Sequence, residues 1–128
     1  MEHKDIVYDL ERRLRKFCSI VNVEQKFILE DGRFGEYDVA GYKGITHEKI
    51  LIFDFEVKRT NNSFNHSKAL TQLGKDRKHF SELLKIPYSN IHLFYVYRNE
   101  NMRRGYDVKE VHFDNGNYNE SIEDKTCW

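Results

Sequence analysis

Five side chains in this sequence have types and spacing that could do chemistry together: Glu11, Asp38, Glu56, Lys58 and Gln72. The densest part is "KILIFDFEVK", residues 49–58, where Glu56 and Lys58 stand one residue apart at the end of an almost continuous apolar run. Side chains alternate along a strand, so Ile50, Ile52, Asp54, Glu56 and Lys58 share one face while Leu51, Phe53, Phe55 and Val57 share the other. The second set reads as core. The first begins apolar and turns charged over its last three positions, which packing alone does not require. Hard divalent cations such as Mg2+ take oxygen ligands, commonly one or two carboxylates with water and substrate phosphate completing the shell. Asp38, in "GEYDVAGY", and Glu56 could supply such a pair from neighbouring strands. Lys58 lies ~6–7 Å along the strand from Glu56, on the same face, within reach of an attacking water or a phosphate. The Val57 carbonyl lies between them. An isolated Glu-x-Lys on a strand is ordinarily a solvent-facing charge pair, so these residues carry chemistry only if the fold brings Asp38 to them.

The elements that must do this can be read from periodicity. Ile6, Val7, Leu10, Leu14 and Phe17 recur at helical steps and predict a helix over 5–18, with Glu11 flanking its apolar stripe. Strands are expected over 21–30, 36–43 and 49–58, with "EDGRFG" and "GITHE" as the turns between them. Asn62 and Ser63 are good helix-starting residues, and Leu70, Leu73, Arg77, Phe80 and Leu84 mark one face of a helix over 64–85, which contains Gln72 and is closed by Pro87. Further strands follow at 91–98 and 106–113. The expected class is α/β (α+β), a mixed central sheet flanked by helices in the order α-β-β-β-α-β(-β). The three early strands form an antiparallel set, and the long helix carries the chain to a strand parallel with the central one.

The chain of 128 residues suits one domain, 1–128, with a core over about 5–98 and an accessory strand and tail over 99–128. With 33% charged and 14% aromatic residues it reads as a folded domain and not a disordered one. It contains no membrane-length apolar run and no secretory signal, so an intracellular protein is expected. Cys18 and Cys127 offer no disulfide framework. The six histidines lack metal-ligand spacing, and no G-x-x-x-x-G-K-[ST] loop is present, so neither a zinc site nor a nucleotide cofactor is expected. From Asp107 onward six acidic residues face two lysines, a net of −4, so residues 1–106 carry +4. That bias neither demands nor excludes a nucleic-acid partner.

"GEYDVAGYKG", then "KILIFDFEVKRT", then a helix containing "KALTQL" resembles the PD-(D/E)XK nuclease superfamily, whose small members include archaeal Holliday-junction resolvases and restriction-type endonucleases. The resemblance covers residues 5–98. It implies that Asp38 and Glu56 hold Mg2+ or Mn2+ with the Val57 carbonyl, and that Lys58 orients or activates the attacking water. It also implies that Glu11 assists the metal from the first helix and that Gln72 supports the site from the second. Tyr37 replaces the proline of the superfamily's name, and Asp76 stands where a tyrosine often follows the glutamine. Asp54 matches no role and reads as a hydrogen-bonded or edge-exposed structural acid.

The function expected on this basis is a metal-dependent deoxyribonuclease, an endonuclease or junction-resolving enzyme acting on duplex or branched DNA as a homodimer. The alternative is a non-catalytic nucleic-acid-binding module, or an assembly subunit, that keeps the fold. Candidate DNA contacts are Arg12, Lys58, Arg59, Lys68 and Lys75, drawn from basic groups that are elsewhere most often solvated faces. Tyr95, Tyr97, Tyr106, Phe113, Tyr118 and Trp128 supply aromatic surface, and residues 115–128 are the expected dimer contact.

Overall fold

A computed structural model describes residues 1–46, 49–114 and 117–122. Helix α1 (His3–Leu14) is followed by strands β1 (Ile20–Ile28), β2 (Phe34–Thr46) and β3 (Lys49–Lys58). Helix α2 (Ser63–Leu84) and a short 3-10 turn (Tyr88–Asn90) then lead to β4 (Ile91–Arg98), β5 (Tyr106–Asp114) and β6 (Asn117–Ile122). The six strands form one sheet in chain order; β3 and β4 are parallel and all other neighbours antiparallel. This is the expected α+β arrangement, with β6 added in a segment whose polar sequence reads only as a tail. Tyr118 has a backbone place in β6, whereas Cys127 and Trp128 lie outside the described residues. Among the described residues no helix is long and apolar enough to cross a membrane.

The two helices cover opposite faces. Ile6, Val7, Leu10 and Leu14 of α1 pack with Val39, Phe55, Val57, Phe94 and Val96. Leu70, Leu73 and Phe80 of α2 pack with Ala40, Ile52, Leu93 and Tyr95. Alternation along β3 therefore gives Phe55 and Val57 to α1, and Ile52 with the positions that follow it at steps of two to α2. The close seat of α1 depends on Gly41, where an added Cβ would stand 2.7 Å from Cys18 Sγ and 3.2 Å from Leu14 Cδ2. At the start of α2 the Asn62 side chain accepts the Asn65 N–H at 2.8 Å. At its end Lys85 takes the left-handed conformation (φ 56) and its N–H bonds Ser81 O, so the chain turns just before Pro87. Arg77 occupies a stripe position by lying between the rings of Tyr88 and Phe113, 4.0 and 4.8 Å from their centroids.

Candidate active site

The pairing of Val39 with Phe55 sets the next residues along, Asp38 and Glu56, level on adjacent strands. On the other side of β2 the ladder runs Val23 with Val39 and Gln25 with Tyr37, and the rung between them, Glu24 and Asp38, is skipped. Glu24 there adopts φ 50, a conformation uncommon outside glycine and one that recurs beside functional sites. Asp38 is fixed by the Val57 N–H, which donates to its Oδ2 at 2.7 Å. The Lys58 ammonium lies 3.4 Å from Glu56 Oε1. The sequence motif thus becomes one group where the end of β3 lies against β2.

Its electrostatics are those of carboxylates with too few counter-charges. Glu56 is 5% exposed and its Oε2 has no hydrogen-bond partner. Burial, with Asp38 and Asp76 nearby, pushes its pKa up to about 10 against the opposing pull of Lys58. Behind it Asp54 is wholly buried, which corrects the expectation of an edge-exposed acid. Burial first, and then Glu56 and Asp38, push Asp54 up to about 8. Asp76, also wholly buried on α2, is raised by its own burial and by Asp54. Both Asp54 oxygens and Asp76 Oδ2 lack a donor, so a proton held between these two carboxyls is what would satisfy them. Gln72 closes the chain of contacts by donating from Nε2 to Asp76 Oδ1 at 2.6 Å.

The group opens into a concavity of about 380 Å3 between the end of β3 and the exposed face of α2. Lys58, Gln72, Lys68 and Lys75 all line it, so three of the five candidate DNA contacts share the site. Arg59 is exposed just beyond β3. Arg12 is elsewhere: it pairs with Asp9, and with Glu11 and Arg15 it lines a separate surface concavity. Glu11 is likewise not brought to the group; it binds Arg15 at 2.6 Å. The side chain that α1 does deliver is His3, whose Nε2 lies 3.6 Å from Asp38 Oδ2. Eight residues separate His3 from Glu11, about 12 Å along the helix. The Asp38 carboxylate beside it raises the His3 pKa, against burial.

His3 and Asp76 are additions that the sequence reading missed. His3 stands one helical step before Ile6 and Val7 on the apolar stripe. Asp76 falls between Leu73 and Phe80 on the buried stripe of α2. A polar residue on a stripe is a readable signal, but it does not say what the residue faces.

The donor set suits a hard cation. It is oxygen-only, it includes a buried carboxylate oxygen without a partner, and added positive charge would offset the repulsion among its acids. Among the described residues no group of three or more His, Cys, Asp or Glu side chains is arranged to hold a metal ion. Two carboxylates and a carbonyl are the sparse set that Mg2+ accepts, because it keeps several waters. No protein-family model and no curated protein matches the chain.

Proposed function

We propose that the protein is a divalent-metal-dependent nuclease that hydrolyses phosphodiester bonds in DNA. The observation that carries this reading is the juxtaposition of Asp38 with Glu56 and Lys58, the last two lining a concavity together with further lysines. The resemblance of "GEYDVAGY" and "FEVK" to PD-(D/E)XK nucleases supports it from the sequence side.

In this reading Asp38 and Glu56 hold Mg2+ or Mn2+, with the Val57 carbonyl available beside them. When bound, such an ion lowers the pKa of a water and offsets charge developing on the phosphate. The remaining work falls to the chain. The Val57 N–H fixes the rotamer of Asp38, so that carboxylate is held in place beside Glu56. Lys58, 24% exposed at its side chain, orients the attacking water and steadies the phosphate oxygens. Lys68 and Lys75 neutralise phosphates to either side of the scissile bond, which makes binding fall steeply with salt. Gln72 is held by Asp76 and keeps its amide at the wall of the site. Resolution of a four-way junction would need two such sites, and hence a two-fold dimer.

The test is cleavage of plasmid, linear duplex, single strands and a four-way junction with Mg2+, with Mn2+ and with chelator. Asp38→Asn and Glu56→Gln keep side-chain volume and remove ligand charge, so each is expected to abolish cleavage while the fold and DNA binding persist. Turnover in excess chelator, or full activity in either variant, would overturn the assignment.

A further inference from the structure

The concavity beside Glu56 and Lys58 includes a side chain that hydrolysis itself does not need. Phe64, in the first turn of α2, is 68% exposed, although an aromatic ring is among the costliest surfaces to leave in water. Its backbone is firmly held. Asn62 caps the helix through the Asn65 N–H, and the Asn65 side chain donates to Thr60 Oγ1 at 2.8 Å and to Thr60 O at 3.1 Å. The Tyr95 hydroxyl donates to Asn61 Oδ1 at 2.8 Å, which ties the same loop to β4. The loop therefore keeps its shape while the ring stands outside the core.

What surrounds the ring indicates what it meets. Lys68, one helical turn on, places Nζ 4.7 Å from the ring centroid. Ser67, Thr71 and Lys75 continue the same helix face past Glu56 and Lys58, and every lining side chain other than Phe64 is polar or charged. Phe64 to Lys75 covers about 16 Å of helix, the length of a few nucleotides. Hydroxyls and ammonium groups suit a phosphate backbone, and a lone exposed ring among them suits the face of a base better than an apolar protein surface. A base inside an intact duplex has both faces covered by its neighbours. We infer that Phe64 is a stacking platform for an unpaired base, so that the site takes DNA strands that are single or splayed open at the point of attack. This rests on the nuclease reading for the use of the concavity.

The test uses single-stranded oligodeoxynucleotides, each carrying one 2-aminopurine, titrated with the Asp38→Asn protein and with the same protein also carrying Phe64→Ala, Phe64→Leu or Phe64→Trp. Fluorescence quenching at one position is expected. Phe64→Ala and Phe64→Leu should each weaken strand binding about tenfold, as the loss of one base–aromatic stack does. Phe64→Trp should retain it, and affinity for the fully paired duplex should not change. The stacking role is overturned if Phe64→Ala binds and quenches like its parent, or if none of the proteins binds single strands. It is equally overturned if light scattering shows that Phe64→Ala dissociates a dimer, which would make the ring a protein contact. Wild-type cleavage in Mg2+ separates the two readings. Stacking without cleavage of any substrate removes the nuclease and leaves Phe64 assigned, whereas cleavage indifferent to Phe64 removes only the platform.

Discussion

Replacing Asp76 by asparagine is expected to make the metal-free protein more stable at pH 8 and to change it little at pH 5. Asp76 and Asp54 are both wholly buried and face each other with oxygens that lack donors. A carboxyl whose folded pKa is raised holds its proton more tightly in the folded state. Its contribution is complete below the unfolded pKa near 4 and is lost as pH rises through the folded value, about 8 for Asp54 and raised for Asp76 as well. Each proton so held costs about 1.4 kcal/mol of stability per pH unit across that window. Between pH 5 and pH 8 one proton therefore accounts for a loss of up to about 4 kcal/mol.

An asparagine at position 76 needs no proton. Its oxygen can accept from Gln72 as the carboxylate does, and its amide can donate to Asp54 in place of the shared hydrogen. Thermal unfolding in chelator at pH 5, 6, 7 and 8 measures the difference. At ~3–4 °C per kcal/mol for a domain of this size, the gap between variant and wild type should widen by up to about 12–16 °C from pH 5 to pH 8. His3, raised by Asp38, loses its contribution in the same direction as the acids, while His79, lowered by burial, opposes it; both cancel in the comparison. The reasoning is refuted if the two proteins run parallel across this range, or if wild type gains stability as pH rises.

Other outcomes follow from the site. Lys58→Ala should slow single-turnover cleavage by ~10²-fold with metal dependence intact; a normal rate with weakened binding would reduce Lys58 to a phosphate contact. Glu11→Gln should cleave at the wild-type rate, because Glu11 pairs with Arg15 on another part of the surface, and a large loss in the same single-turnover assay would return it to the machinery. Tyr106→Phe should cost about 2 kcal/mol in denaturant titrations, since the buried hydroxyl donates to Asp9 at 2.6 Å and the acceptor is charged.

Much of this architecture can be read from the chain because local signals agree with one another. Asn62 and Pro87 bracket α2, and an apolar run closed by charge marks β3. The spacing of Asp38 from "FEVK" is that of a hairpin, but an irregularity between Gly44 and Thr46 shifts the register by one, so the level placement of Asp38 and Glu56 is seen only in the strand pairing and not by counting back from the turn. Helical periodicity, by contrast, fixes the angle of a residue around its axis but not its height against the sheet. Glu11 has a suitable angle yet lies about two turns from the strand end that His3 reaches. Asp76 is hidden for a related reason, since the sequence shows an acid on a stripe but not the second acid across from it. Strand β6 lacks apolar alternation altogether; it owes its place to the edge that β5 offers.

The buried acids also bear on why the charged end of β3 is where it is. Strands β3 and β4 are parallel, and α2 crosses between them, so the C-terminal end of β3 opens beside the first turns of that helix. Ligands in sheets with parallel strands gather at such ends, because the chain leaves there as loops and not as further core. Ile52, one step of two before Asp54, is fully buried under α2, and a leucine or valine at Asp54 and Asp76 would continue that packing. Replacing buried ionisable pairs by apolar residues commonly stabilises a protein. Stability thus gives no reason for the two acids. Their position does: Asp54 is the next residue behind Glu56 on the same face, and Asp76 holds the amide of Gln72 at the wall of the concavity. They make the floor of the site polar and proton-holding, and in the nuclease reading a cation bound beside Asp38 and Glu56 would draw their raised pKa values back down.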